Sequence, residues 1–168
     1  MIRVAIITVS DSTAAGSRVD LSGPALAEKV AGLGWTLAHR AIVPDDRTLI
    51  AKTVTGYANM ELILTTGGTG LALRDVTPEA IKLIADREIP GFGELMRSNG
   101  LKSTEFAPLS RSGAATRGSA LILMLPGSPK GAVESLMAVA HLVPHAVDLL
   151  QGRTEHKEKL GGAEPHHE

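Results

Sequence analysis

A three-layer α/β fold, doubly wound about a mostly parallel sheet with one antiparallel strand, is the architecture this sequence predicts. Three observations lead there. Strand-like runs alternate with stretches of helical spacing. The runs Arg3 to Val9 (RVAIITV) and Ala120 to Leu125 (ALILML) are apolar enough to be buried on both faces, and polar loops follow the strands. Right-handed crossovers then stack helices on both sides of the sheet.

The first strand, Arg3 to Val9, stops at the polar Ser10-Asp11-Ser12. After a polar loop, Ser22-Gly23-Pro24 opens a helix with proline in its first turn. Leu26, Val30 and Leu33 fall on one face of it, and Gly34 closes it. Trp35 to Val43 is a second strand, ending at Pro44-Asp45-Asp46, and Leu49, Ile50, Thr53, Val54 and Tyr57 make a second amphipathic helix. Glu61 to Thr65 is the third strand and runs into Thr66-Gly67-Gly68-Thr69-Gly70. Thr77-Pro78-Glu79 supplies a cap, a first-turn proline and a first-turn acid for a helix to about Arg87. A short helix covers Phe92 to Asn99. Arg111 to Thr116 and Ser119 to Leu125 form a hairpin around Arg117-Gly118, the source of the antiparallel strand. Pro126-Gly127-Ser128-Pro129 leads into a helical stretch to about Leu150, bent or interrupted near Pro144. Residues 1–150 read as one domain, and 151–168 as a flexible polar tail.

The composition narrows the function. With 17 Lys and Arg against 18 Asp and Glu, nothing suggests a basic track for nucleic acid. The absence of cysteine excludes disulfides, thiolate metal sites and a cysteine nucleophile. The apolar start is too short to span a membrane and lacks the pattern of a secretory signal, so the expected location is cytoplasmic, with no membrane partner. His39, His141 and His145 lack the spacing of a metal cluster.

In open α/β sheets ligands bind beyond the carboxyl ends of the strands. Four polar segments fall there: Ser10-Asp11-Ser12, Pro44-Asp45-Asp46, Thr66 to Asp75, and Pro126 to Pro129. In the glycine loop, Gly67, Gly68 and Gly70 allow sharp turning and bring amide N–H groups close to an anion, while Thr66 and Thr69 add hydroxyl donors. The loop is neither a P-loop nor a dinucleotide fingerprint. It reads either as a phosphate cradle or as a tight strand-exit turn. Asp75 beside a phosphate cradle makes sense as a ligand for a cation, and magnesium, held by one or two carboxylates plus substrate phosphates, fits that need. The alternative is an Arg74–Asp75 surface pair. Asp45 and Asp46 are equally readable as turn residues. Ser128 is either a simple helix cap or part of an anion site at a helix N-terminus.

Taken together these segments carry a resemblance. Thr66-Gly67-Gly68-Thr69-Gly70 followed by Arg74-Asp75-Val76-Thr77-Pro78-Glu79-Ala80 resembles the signature of molybdopterin adenylyltransferases, a domain that also occurs in gephyrin and the plant molybdenum-cofactor protein. Thr8 to Ser12, Asp20 to Gly23, Pro90-Gly91-Phe92, Ser110-Arg111, Arg117-Gly118 and Leu125 to Gly131 match in order. The resemblance covers roughly residues 1 to 150. It implies a doubly wound fold, a homotrimer or hexamer, and AMP transfer from ATP to the terminal phosphate of molybdopterin with magnesium. It also implies Asp75 and Asp45 as catalytic and metal-binding acids. Thr66, Gly67, Gly68, Thr69, Gly70, Ser110 and Ser128 are expected at the pterin phosphate, and Asp11, Ser12 and Gly127 at the nucleotide. Hand-over of the product to a molybdenum insertase follows from the same resemblance. The competing readings are a pterin-binding scaffold without transferase activity, a nucleotide pyrophosphatase like the domain of competence-damage proteins, and the insertase itself, whose chains carry additional domains.

Overall fold

In the computed structural model, residues 1–154 are described. They form a six-stranded mixed sheet in the order β2-β1-β3-β6-β5-β4, with helices on both faces. The strands are β1 (Arg3–Val9), β2 (Thr36–Val43), β3 (Leu62–Thr66), β4 (Arg87–Glu88), β5 (Gly113–Arg117) and β6 (Ala120–Leu125). β2, β1, β3 and β6 are mutually parallel. β5 pairs antiparallel with β6 on one side and with β4 on the other, so it is the single reversed strand. The helices are α1 (Asp11–Ala14), α2 (Ser22–Gly32), α3 (Arg47–Gly56), α4 (Thr77–Lys82), α5 (Pro90–Gly100), α6 (Pro129–Val139) and α7 (Val143–Leu150).

Side chains alternate across a strand with period two, which divides each central strand between two cores. Val4, Ile6, Leu62, Leu64, Leu121, Leu123 and Leu125 pack with Leu26 and Val30 of α2, Phe92 and Met96 of α5, Leu136 of α6 and Val147 of α7. Ala5, Ile7, Ile63 and Ile122 face the other way, against Ile50 and Val54 of α3 and Ile81 of α4. Burial on both sides explains why β1, β3 and β6 read as continuous apolar runs. β2 is an edge strand, and all of it but Ala41 and Val43 is exposed. Pro129–Leu150 is, among the described residues, the one helical stretch long and apolar enough to cross a membrane; here its apolar stripe of Ala132, Leu136, Val139, Val143 and Val147 is buried in the core.

Several elements depart from the sequence expectation. The predicted polar loop after β1 contains the one-turn helix α1, capped by Ser10 Oγ, which accepts from Thr13 N at 3.3 Å. The α4 helix stops at Lys82, not near Arg87. Arg87 and Glu88 instead pair with Thr116 and Ala115 as the short edge strand β4. Thr77 is not the helix cap: Val76 holds that position without a side-chain bond, because the Thr77 hydroxyl donates to Gly67 O at 2.8 Å. Arg111 and Ser112 precede β5. The final helical stretch is, as expected, interrupted near Pro144: a 3-10 turn covers Ala140–Leu142, and Pro144 sits in the first turn of α7, where its missing N–H is harmless. At the start of the predicted tail, Gln151, Gly152 and Arg153 donate backbone bonds to Val147, Leu149 and Asp148 and close α7. The rest of that tail, 155–168, lies outside the described residues.

Leu123 is fully buried in the middle of β6. Leu123→Ala is expected to lower the unfolding free energy by about 2–5 kcal/mol, read from the shift in denaturant midpoint, because a closely packed layer cannot collapse onto the missing volume.

Candidate functional site

Because β2, β1, β3 and β6 are parallel, their carboxyl ends converge on one edge of the sheet. A cleft of about 350 Å³ opens there, lined by Asp45, Asp75, Gly67, Gly68, Gly127 and Ser128, with the 18–22 segment along one side.

The glycine turn is built by its neighbours. Gly67 and Gly68 have φ of +107° and +69°, a region that side chains with a Cβ avoid. A Cβ on Gly67 would lie 2.2 Å from Val9 O, and one on Gly68 would lie 2.3 Å from Thr77 Oγ1. Both carbonyls are held by Thr77: its hydroxyl donates to Gly67 O, and its amide donates to Gly68 O at 3.0 Å. Gly67 N extends the ladder to Leu125 O at 3.0 Å. Thr66 Oγ1 donates to Pro126 O at 2.7 Å, so its proton braces the β6 exit and is not a free donor to a ligand, contrary to the sequence expectation. Among the described residues, the amides of Gly68, Gly127 and Ser128, all cleft residues, have no protein acceptor. Unpartnered N–H groups around a polar cleft are suited to an anion. Ser128 also caps α6, its Oγ accepting from Gly131 N at 3.1 Å.

The acids form a second layer. Asp45 and Asp11 bond reciprocally, each carboxylate accepting from the other's backbone amide at 3.0 Å. Arg74 grips Asp11 with two bonds, of 2.9 and 2.8 Å, and this holds the Asp11 carboxyl below the ordinary carboxylate value. Asp45 is shifted the other way. Burial raises its carboxyl above the ordinary value, and the charges of Asp11 and Asp75 add to that. Asp75 accepts from Ala72 N at 3.0 Å. Its loop is clamped by Arg111, whose Nε donates to Gly70 O at 2.9 Å and whose second terminal nitrogen donates to Asp75 O at 2.7 Å, while the first pairs with Glu79. Among the described residues no cluster of three or more His, Asp or Glu has metal-site spacing. Asp45 and Asp75 are nevertheless two cleft carboxylates without an ion-pair partner among those residues, a hard-oxygen donor set suited to a cation that takes its other ligands from substrate.

The structure thus gathers Asp45, Asp75, Thr66, Gly67, Gly68, Gly127 and Ser128 at one cleft. It separates the others. Thr69 and Gly70 line an adjoining open hollow of about 360 Å³ with Leu71, Leu109 and Ser110. Ser110 also borders a pocket of about 200 Å³ containing Arg97, Phe106 and Ser112, and its Oγ lies 2.8 Å from Ser112 Oγ. The Pro126–Ser128 turn stands between: Ser128 is shared by cleft and pocket, and Gly127 by cleft and hollow. Asp11 is taken up by Arg74, and Ser12 does not line the cleft, because its hydroxyl turns to Ser10 Oγ at 3.2 Å. Sequence reasoning overlooked Arg18 and Thr13, which line the cleft, and the bracing role of Arg111. For Arg111 a signal existed in the Ser110-Arg111 match; for Arg18, in a polar loop, there was none.

A family described as a probable molybdopterin binding domain matches residues 5–145. The chain belongs to this molybdopterin-binding family. The chain is 43% identical over 156 residues to a molybdopterin adenylyltransferase of Helicobacter pylori J99, covering 90% of this chain and 89% of the relative. It is 38% identical to the molybdopterin adenylyltransferase of Escherichia coli K12, covering 90% and 86%. Among solved structures, the molybdopterin biosynthesis enzyme MoaB of Thermus thermophilus superposes with a TM-score of 0.85 at 50% identity, covering 90% of this chain and 98% of that chain.

Two outcomes follow from this geometry. Gly68→Ala is expected to destabilise the fold by about 1–3 kcal/mol in denaturant titration, since it forces a Cβ into the left-handed region and against Thr77. Asp45 titrates above its unfolded value, so its contribution to stability is complete below that value and is lost as pH rises through the folded one. Asp45→Asn is therefore expected to raise the thermal midpoint at neutral pH. The gain should shrink as pH is lowered through the Asp45 titration, where the parent carboxyl becomes neutral.

Proposed function

We propose that this chain is a molybdopterin adenylyltransferase, transferring AMP from ATP to the terminal phosphate of molybdopterin with release of pyrophosphate. The observation that carries the reading is that two acids without an ion-pair partner among the described residues, Asp45 and Asp75, line one cleft with a glycine turn of open amides, in a chain whose relatives bear that name. The pocket bordered by Ser110, Ser112 and Phe106 is suited to a flat, polar-edged heterocycle, and the acidic cleft to the nucleotide phosphates. The two meet at Ser128 and the Pro126–Ser128 turn.

In the proposed reaction an oxygen of the pterin phosphate attacks the α-phosphorus of ATP. One P–O bond forms, the bond from that phosphorus to the bridging oxygen breaks, and pyrophosphate leaves with the electron pair. Such a step needs positioning and charge neutralisation more than covalent help from the protein. The open amides of Gly68, Gly127 and Ser128 orient phosphate oxygens. Thr77 and Arg111 keep the turn and the Asp75 loop in register, and Asp11, held by Arg74, fixes Asp45. Asp45 and Asp75 are the residues that would hold Mg²⁺, which when bound supplies positive charge to the phosphate oxygens. The same reading makes the chain a cytoplasmic homotrimer or hexamer that acts on ATP and molybdopterin alone, without nucleic acid or membrane, and passes its product to a molybdenum insertase.

Asp75→Asn keeps an acceptor for Ala72 N and removes the charge. It is expected to leave pterin affinity nearly unchanged while molybdopterin-dependent pyrophosphate release falls on the order of 10²–10³-fold. Release at the unaltered rate would reject the role of Asp75. Pterin binding by the unaltered chain with no release at all would make it a binding module instead.

A further inference from the structure

Phosphate chemistry at this cleft faces an electrostatic shortage. The nucleotide arrives with several negative charges, and Asp45 and Asp75 add two more. The arginines around the site are already engaged: Arg74 with Asp11, Arg40 with Asp20, and Arg111 with Glu79 and two loop carbonyls. Arg18 is different. Among the described residues it is the only cationic side chain lining the cleft, it is exposed, and it makes no hydrogen bond or ion pair with the protein.

Its loop is held at the base and open at the tip. Asp20, the buried foot of the loop, accepts from Thr8 Oγ1 at 2.9 Å, Gly23 N at 2.9 Å and Arg40 at 3.1 Å. Residues 16–19 beyond it are exposed. The base therefore sets where the loop stands, while the guanidinium keeps its full set of donors for a ligand.

The order of the strands says which phosphates it meets. Along the carboxyl edge, β6 with the Ser110–Ser128 pocket lies on one side, β3 with the glycine turn in the middle, and β1 with the Arg18 loop on the other. Attacking and leaving oxygens lie roughly in line in phosphoryl transfer. A pterin phosphate entering from the β6 side expels its leaving group toward β1. Resting on the transferase reading above, we infer that Arg18 is the binding residue for the β- and γ-phosphates of ATP and for the departing pyrophosphate. A guanidinium matches phosphate oxygens in a two-pronged geometry, and at this position it offsets charge that builds on the leaving group.

The test compares the unaltered chain, Arg18→Ala and Arg18→Lys in two measurements. One is calorimetric binding of inorganic pyrophosphate in magnesium buffer; the other is the kinetics of molybdopterin-dependent pyrophosphate release. Arg18→Ala is expected to weaken pyrophosphate binding and raise KM for ATP by about tenfold. KM for molybdopterin should stay unchanged, and Arg18→Lys should recover part of the loss. Equal pyrophosphate affinity in Arg18→Ala and the unaltered chain overturns the assignment, as does a parallel loss of molybdopterin affinity, which would mean that Arg18 shapes the whole cleft. If the unaltered chain releases no pyrophosphate from ATP, the transferase reading fails, and the binding comparison still decides Arg18 by itself.

Discussion

A single hydroxyl, that of Thr77, holds the Gly67 carbonyl in a turn whose backbone lies in the left-handed region, and the cleft is arranged around that bond. With the carbonyls of both Gly67 and Gly68 bound to Thr77, the Gly68 amide is left without an acceptor in the described protein. The same contact sets the start of α4 against the end of β3, and so places the Asp75 loop beside the turn. On the other side, Thr66 and Gly67 are tied to the β6 exit, where a Cβ on Gly127 would lie 3.2 Å from Gly67 Cα. Two chain exits come this close only where both lack side chains, and their amides thereby share one polar space.

Electrostatics complete what the backbone begins. Arginines neutralise the outer acids, Asp11 and Asp20, and both of those acids serve as struts: Asp11 for Asp45, Asp20 for the loop that carries Arg18. The inner acids, Asp45 and Asp75, have no ion-pair partner among the described residues at the cleft wall. Burial of Asp45 beside two like charges is a cost to the fold. On the proposed reading, the partner that offsets this cost is the cation that arrives with the nucleotide.

Much of the fold was legible because burial writes itself into composition. β1, β3 and β6 are apolar on both faces, and the turn residues Gly34 and Pro44 bracket β2 within a residue or two. What escaped was short or shaped by distant partners. α1 has one turn and no buried residue, so it leaves no periodicity. The two residues of β4 become a strand only because β5 lies beside them, and their own types say nothing of it.

The sequence by itself determined the layered class, the strand ends at which ligands gather, and the residue types available there: paired glycines, two acids and a capping serine. Only the tertiary structure decided which of them share a space. It turned Thr77 from helix cap to brace, moved Ser110 to the far side of the Pro126–Ser128 turn, consumed Asp11 on Arg74, and left Arg18 at the cleft with no partner among the described residues. The reason is range. Helical and strand periodicity are set by neighbours a few positions away, whereas the partner of a polar side chain is fixed by strand order and register, here across up to 63 positions between Asp11 and Arg74.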